Sequence, residues 1–333
     1  MFTKKLAVSI LGIILCAGIC FAAEEAAVPA ATPATAAIPA EPSKAFTVAF
    51  VPGVTMHPFF ITMKKGVLEK AKELGVVIVC DGPDQWGSAQ QIQVLENMIE
   101  KKVDLIIAAP VNKEELIPVL KKATEKGIPV ITVDTNLTDD SFIVAHIASD
   151  NFGSGKIAAE VLVNKIDSKG EVMTICVPGI PTFEDRKNGF LEAIKAYPDI
   201  KMAGEPQAAE NDVEAATQEI AAKYKDLKGI LALVPYAEGV LKGLKAANLP
   251  GKIALVTYDA GESQVAGLRS GDISALLVQK PSEIGSTAVE YAYDYLSGQK
   301  EKIEKHKLIP FVVATQGNMD DPEISKWFYA SNP

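Results

Sequence analysis

Histidine, cysteine and basic charge are what this 333-residue chain has least of. Its three histidines, His57, His146 and His306, stand far apart with no paired cysteines beside them, so a zinc site has no ligand set of the usual spacing. Two of the four cysteines, Cys16 and Cys20, fall in an apolar leader. Cys80 and Cys176 each end or lie within an apolar run, the setting of buried core thiols rather than a disulfide, although an exported compartment would permit one. Lys and Arg number 33 against 42 Asp and Glu, for a formal charge of -9 and a pI near 5.1. Neutralising nucleic-acid phosphate needs the opposite balance, so no nucleic-acid partner is expected. Phosphate-loop and nucleophile-elbow signals are missing too. Gly153-Ser154-Gly155-Lys156 is preceded by Asp150 and followed by Ile157 where a phosphate loop needs Gly and Ser or Thr, and it reads as a helix start. Gly261-Glu262-Ser263-Gln264-Val265 lacks the closing glycine of an elbow, and Ser263 reads as a helix residue.

What is present is a folded composition, 48% hydrophobic and 23% charged, which excludes disorder throughout. The mean hydropathy of +0.15 is slightly high, and much of the excess lies in residues 1–23. There Lys4 and Lys5 precede an apolar run over 6–19 that ends in small residues around Ala22 and Ala23, the layout of a cleaved secretory signal. The run is shorter than the roughly 20 residues a membrane span needs. Bulky Leu15 and Ile19 before the two leader cysteines disfavour a lipid anchor. Residues 24–44, rich in Ala, Pro and Thr, have almost nothing to pack and read as an extended tether. Export follows from this pattern.

From Phe46 onward, short β-branched runs alternate with amphipathic stretches of helical period, the signature of parallel α/β layers. Strands are predicted at 46–51, 76–80, 104–109, 129–134, 142–147, 171–176, 229–234, 253–258 and 273–278. Helices are predicted between them, including 59–74 after Pro58, 88–101, and 114–126 before Gly127. So many strands exceed one comfortable open sheet and point to two sheets in two domains, with the break near Ser149-Asp150-Asn151. Ligands of open parallel sheets bind beyond the carboxyl ends of strands. The polar residues there are Asp81, Asp134, Asp259 and Gln279; each alone is also an ordinary cap or turn residue, while four at equivalent places favour a shared polar pocket.

Several segments, in order, resemble the type I periplasmic sugar-binding proteins of ABC importers, the ribose-binding group. They are His57-Pro58-Phe59-Phe60, Gly127-Ile128-Pro129-Val130-Ile131-Thr132-Val133-Asp134, His146-Ile147-Ala148-Ser149-Asp150-Asn151, Arg186-Lys187-Asn188-Gly189-Phe190, Tyr258-Asp259, and Gln279-Lys280-Pro281 followed by Ile284-Gly285. The resemblance implies two Rossmann-like lobes with parallel sheets joined by a three-crossover hinge, an α/β fold with a sugar held between the lobes. The expected N-terminal lobe is 45–149 plus 280–308, and the C-terminal lobe 150–279 plus 309–333.

By the same resemblance, Phe59 or Phe60 stacks on a sugar ring, though either also suits the buried first turn of a helix. Asp134 and Asp259 accept hydrogen bonds from hydroxyls, Arg186 donates its fork from the second lobe, and Gln279 offers donor and acceptor near the hinge. His57 stands where relatives often carry Asn, and is expected to line the pocket as a hydrogen-bonding residue. Trp86, Thr135 and Tyr236 are secondary candidates: Trp86 as an aromatic wall or a rim residue, Thr135 where ribose binders have Arg, and Tyr236 where an Asn-Asp pair is usual. These departures leave another aldose, a modified sugar or an autoinducer-2-type signal open beside ribose. The implied partners are a sugar-like molecule and an importer permease, with no cofactor, no catalysis and a monomeric state. A sensor subunit serving a chemoreceptor or histidine kinase is the alternative. The C-terminal aromatics Trp327, Phe328 and Tyr329 are expected to cap the second lobe or to mediate a contact.

Overall fold

The structure is a computed structural model that describes residues 45–178, 180–205, 208, 212–234 and 237–329. The aliphatic runs form strands buried along most of their length, and these assemble into two sheets of six. The first sheet takes β1 (Thr47–Val51), β2 (Val77–Cys80), β3 (Leu105–Ala108), β4 (Val130–Val133) and β5 (Ala145–Ser149). The second takes β6 (Gly170–Cys176), β7 (Ile200–Gly204), β8 (Leu227–Leu233), β9 (Ala254–Tyr258) and β10 (Ala275–Val278). β11 (His306–Ile309) then joins the first sheet parallel to β5, and β12 (Val312–Ala314) joins the second antiparallel to β10. Sheet orders are β11-β5-β4-β3-β1-β2 and β12-β10-β9-β8-β6-β7, so strand for strand the second repeats the first. The chain passes between sheets three times, after β5, after β10 and between β11 and β12.

Helices cover the sheets: α1 (Pro58–Leu74), α2 (Ser88–Glu100), α3 (Ile117–Glu125), α4 (Asn151–Lys165), α5 (Pro181–Ile194), α6 (Val213–Lys223), α7 (Glu238–Ala246), α8 (Glu262–Ser270), α9 (Pro281–Leu296) and the short α10 (Pro322–Ser325). On β1, Val48 and Phe50 enter one core while Ala49 and Val51 enter another. A strand covered on both faces loses the polar alternation of a half-exposed one, which is why these runs read as continuously apolar. α1 starts at Pro58, where a missing N–H costs nothing, and stops at Gly75 with φ 70.

The outcome differs from the sequence reading at the edges. β7, β11 and β12 went unpredicted; β7 is partly exposed, β11 presents His306 and Leu308 to solvent, and β12 has three residues. β5 runs from 145 to 149 rather than 142–147, because Phe142 and Ile143 belong to the turn before it. α3 begins at Ile117, not 114: the Asn112 side chain accepts from Glu114 N and Glu115 N at 2.8 and 3.0 Å and holds the preceding residues in turns. Cys80 is half-buried and Cys176 buried, and both thiols are free.

Candidate ligand cleft

β4 and β9 hold the same place in their sheets, and each is followed by an aspartate with a left-handed backbone, φ 65 at Asp134 and φ 71 at Asp259. Such a conformation costs about 1 kcal/mol or more for a residue with a Cβ, and Asp tolerates it better than most. Here the neighbouring strand enforces it: Asp134 N donates to Ile147 O at 3.0 Å, and Asp259 N to Leu277 O at 2.9 Å. The two carboxylates lie close enough to Arg186 and to each other that both alter the ionisation of Asp134. Three charged groups from two lobes therefore share one small, poorly solvated region.

Their surroundings differ. Asp259 Oδ1 accepts from Gln279 Nε2 and from the Tyr329 hydroxyl, each at 2.7 Å. Gln279 Oε1 in turn accepts from Ser149 Oγ at 2.7 Å, so this amide ties the end of β5 to the end of β9 across the hinge. Among the described residues Asp134 has only the Thr135 hydroxyl, at 3.5 Å. Burial pushes its carboxyl up to about 6, against the pull of Arg186 and with the repulsion of Asp259.

Arg186 is 2% exposed, and its Nε donates to Asn151 Oδ1 at 2.9 Å. Its guanidinium carbon lies 4.1 Å from the Tyr258 ring centre, 5.5 Å from Phe311 and 5.6 Å from Phe183. An aromatic cage of this kind holds a cation away from water without neutralising it. The spacing of the Arg186 motif has a packing reason: a Cβ on Gly189 would come 2.0 Å from Phe152 O, so only glycine lets α5 lie against α4 and bring Arg186 to Asn151. Burial pushes the Tyr258 hydroxyl, 3.2 Å from Ser154 Oγ, up to about 12.

Phe59 and Phe60, each 4% exposed, meet edge to face at 5.1 Å on the first turn of α1. His57 Nδ1 accepts from Phe59 N at 3.2 Å, so His57 caps that helix, and its ring also stands edge-on to Phe60 at 6.2 Å. Trp86 lies 6.2 Å from Phe60 in a tilted arrangement and is 59% exposed, which makes it a rim residue. A cavity of about 390 Å³ is lined by His57 and Pro58 from the first lobe, by Glu238, Asp259 and residues 261–264 from the second, and by Tyr329. Glu238 Oε2, on that cavity, is buried without a hydrogen-bond partner among the described residues.

Thus His57 and Asp259 line this cavity, Gln279 bonds Asp259, Asp134 lies near Asp259 and Arg186 with Thr135 beside it, and Phe59 and Phe60 stand next to His57 with Trp86 outside them, while Tyr236 lies outside the described residues. Sequence reasoning missed Asn151, Tyr258, Phe311 and Glu238 as parts of the site. Asn151 and Tyr258 each adjoin a motif residue, a usable signal; Phe311 and Glu238 carry none. The C-terminal aromatics Trp327, Phe328 and Tyr329 pack against the second lobe's core, as expected, and Tyr329 also meets Phe59 of the first lobe at 6.0 Å.

Two matched α/β sheets, three crossovers and charged groups converging between them define a two-lobed binding protein. Residues 48–300 match the periplasmic binding protein domain family, and the chain belongs to it. Similar curated proteins include the ribose import binding protein RbsB of Haemophilus influenzae, 30% identical with 76% of this chain and 87% of that protein covered. The D-allose-binding periplasmic protein of Escherichia coli is 26% identical, with 78% and 89% covered. Among solved structures, an ABC transporter solute binding protein from Agrobacterium vitis bound with alpha-D-tagatopyranose is 34% identical, with a TM-score of 0.79 over 86% of this chain and 99% of that one.

Proposed function

We propose that this chain captures a sugar or sugar-like ligand between its lobes and delivers it to the permease of an ABC importer. The observation that carries this reading is Asp134, a half-buried carboxylate raised to about 6 that lies near Arg186 and Asp259 with one weak donor of its own among the described residues. A ligand bringing hydroxyl donors supplies what that carboxylate lacks, and the aromatic rings at 59 and 60 offer a face to its C–H groups. Arg186 and Asp259 contact the ligand from the second lobe and Asp134 from the first. Binding then favours the arrangement in which all three meet. Of the relatives named above, RbsB is a ribose import binding protein and the Agrobacterium vitis protein an ABC transporter solute binding protein, which supports import over sensing.

The ligand-binding residues on this reading are His57, Phe59, Phe60, Asp134, Arg186, Asp259 and Gln279. Lobe boundaries at 149/150, 279/280 and 308/309 belong to this reading; the sheet membership of the strands supports the first two, while β11, ending at Ile309 in the first sheet, moves the third past residue 309. The reading includes a leader cleaved near residue 23, a tether over 24–44, a periplasmic location, a monomer and no catalysis. Mass spectrometry of the exported chain and its sedimentation check the leader and the monomer. The central test is a thermal-shift screen of aldoses, ketoses, polyols and autoinducer-2 on the mature chain. A rise in transition temperature with a sugar is expected; no shift with any of them near millimolar concentration overturns the reading.

A further inference from the structure

The described residues beyond β12 join neither sheet, yet Tyr329 reaches into the cleft. Asp321 caps α10 by accepting from Glu323 N at 2.9 Å, and bonds from Ile324 N to Asp321 O, Trp327 N to Ile324 O and Phe328 N to Ser325 O wind 321–328 into successive turns. The Trp327 ring sits 4.8 Å from Lys280 Nζ, beside the second crossover. Tyr329 N then donates to Ala260 O at 3.0 Å, which anchors its backbone next to Asp259. From that anchor the ring reaches Phe59 edge-on at 6.0 Å and the hydroxyl donates to Asp259 Oδ1 at 2.7 Å. The phenol feels the charges of Asp134 and Arg186, and its ring borders the cavity of about 390 Å³ lined also by His57 and Glu238.

We propose that Tyr329 is the partition of the ligand site: it fixes the Asp259 carboxylate through Oδ1, leaves Oδ2 to a ligand hydroxyl, and walls the ligand's place beside Asp134 and Arg186 off from the adjoining cavity, so that a single sugar ring fits. This rests on the sugar-binding reading above. Two features favour a built-in wall over a stand-in for the ligand. The phenol shares Oδ1 with Gln279, and no other hydrogen bond reaches Oδ2 among the described residues. Its backbone is also held by the turns of its own segment rather than hanging as a loose end. Burial and the carboxylate of Asp259 keep the phenol protonated by raising it well above its ordinary range, so it remains a donor. Removing the ring would join the two spaces and bring the unpartnered Glu238 Oε2 within reach of a larger ligand.

The test is calorimetric titration of the mature wild-type chain, Tyr329→Phe and Tyr329→Ala with ribose, allose, tagatose and a panel of glucosyl disaccharides, alongside unliganded melting. Wild type is expected to bind a monosaccharide and no disaccharide. Tyr329→Phe should bind that monosaccharide about tenfold more weakly, the loss of a hydrogen bond to a charged acceptor, and still refuse disaccharides. Tyr329→Ala should weaken it roughly a hundredfold, as the wall is lost with the bond, and admit at least one disaccharide. A merely structural role would lower melting without changing this discrimination, and that result overturns the proposal. So does wild-type affinity in Tyr329→Phe, or tighter binding, which would mean the phenol occupies the ligand's own place. A wild-type chain that binds no sugar overturns the sugar reading and the partition with it.

Discussion

The two lobes present the same residue at the same place and treat it differently. Asp134 and Asp259 both follow the fourth strand of their half, both have left-handed backbones, and both donate their N–H to the next strand. Asp259 is held by two donors at 2.7 Å, whereas Asp134 has one hydroxyl at 3.5 Å and a carboxyl raised to about 6. A buried carboxylate without donors carries a desolvation cost that a satisfied one does not. The second lobe therefore presents a finished, rigid acceptor, and the first a strained one that a ligand completes. Division of labour between duplicated halves thus comes from the partners around a residue, not from the residue itself.

Substitution breaks this comparison most sharply at Asp259. Asp259→Ala removes the ligand's acceptor and leaves Gln279 and Tyr329 unpaired, so sugar affinity should fall roughly a thousandfold and unliganded melting should also drop, by calorimetry and thermal denaturation. Wild-type affinity would remove Asp259 from the site. Arg186→Ala should weaken binding about a hundredfold and leave Asn151 and the aromatic cage unfilled; sugar titration of a folded variant checks it.

Asp134→Asn should separate binding from stability. Affinity is expected to fall about tenfold to a hundredfold, while the unliganded variant becomes more stable at pH 7.5 by on the order of 2 kcal/mol, after allowance for partial exposure. The sign follows from the raised value. With a folded value of about 6 above the unfolded 3.8, the native state binds the proton more tightly, so the stabilising contribution is full below about pH 4 and is lost as pH rises toward 6. Ligand hydroxyls favour the ionised form, so affinity should fall roughly tenfold between pH 7 and pH 5, and Asp134→Asn should flatten that dependence. A pH-independent wild-type affinity would sink this account of the first lobe.

The smallest effects contrast two buried threonines. Thr132 on β4 shares a 2.9 Å hydrogen bond with His146 Nδ1, while Thr174 Oγ1 on β6 is buried without a partner. Thr132→Val should destabilise by about 1 kcal/mol and Thr174→Val should be neutral or stabilising by a similar amount in urea denaturation. Equal costs would show that Thr174 has a partner in solution.

Much of the fold was legible because strands covered on both faces leave unbroken apolar runs, and nine of the twelve strands among the described residues stood out in this way, alternating with helices whose ends Pro, Gly and Asp punctuate. β7 escaped because its five residues are only partly buried and carry Lys201 outward; β11 and β12 escaped because an edge strand has little to bury. In the site, Asp134, Asp259 and Gln279 were legible from their place after a strand, and Arg186 from its resemblance to a family motif. Tyr329 was visible only as an aromatic in a polar tail, because the contact that gives it meaning lies 70 residues away.

Sequence alone determined the α/β alternation, the two halves, and which charged residues stand at strand ends, since each follows from local periodicity and composition. The tertiary structure alone decided that Asp259 is satisfied and Asp134 is not, that Arg186 sits in an aromatic cage, and that the C-terminal tyrosine lies between the lobes. Hydrogen bonding and desolvation depend on which distant groups share a few ångströms of space, and packing, not order along the chain, sets that.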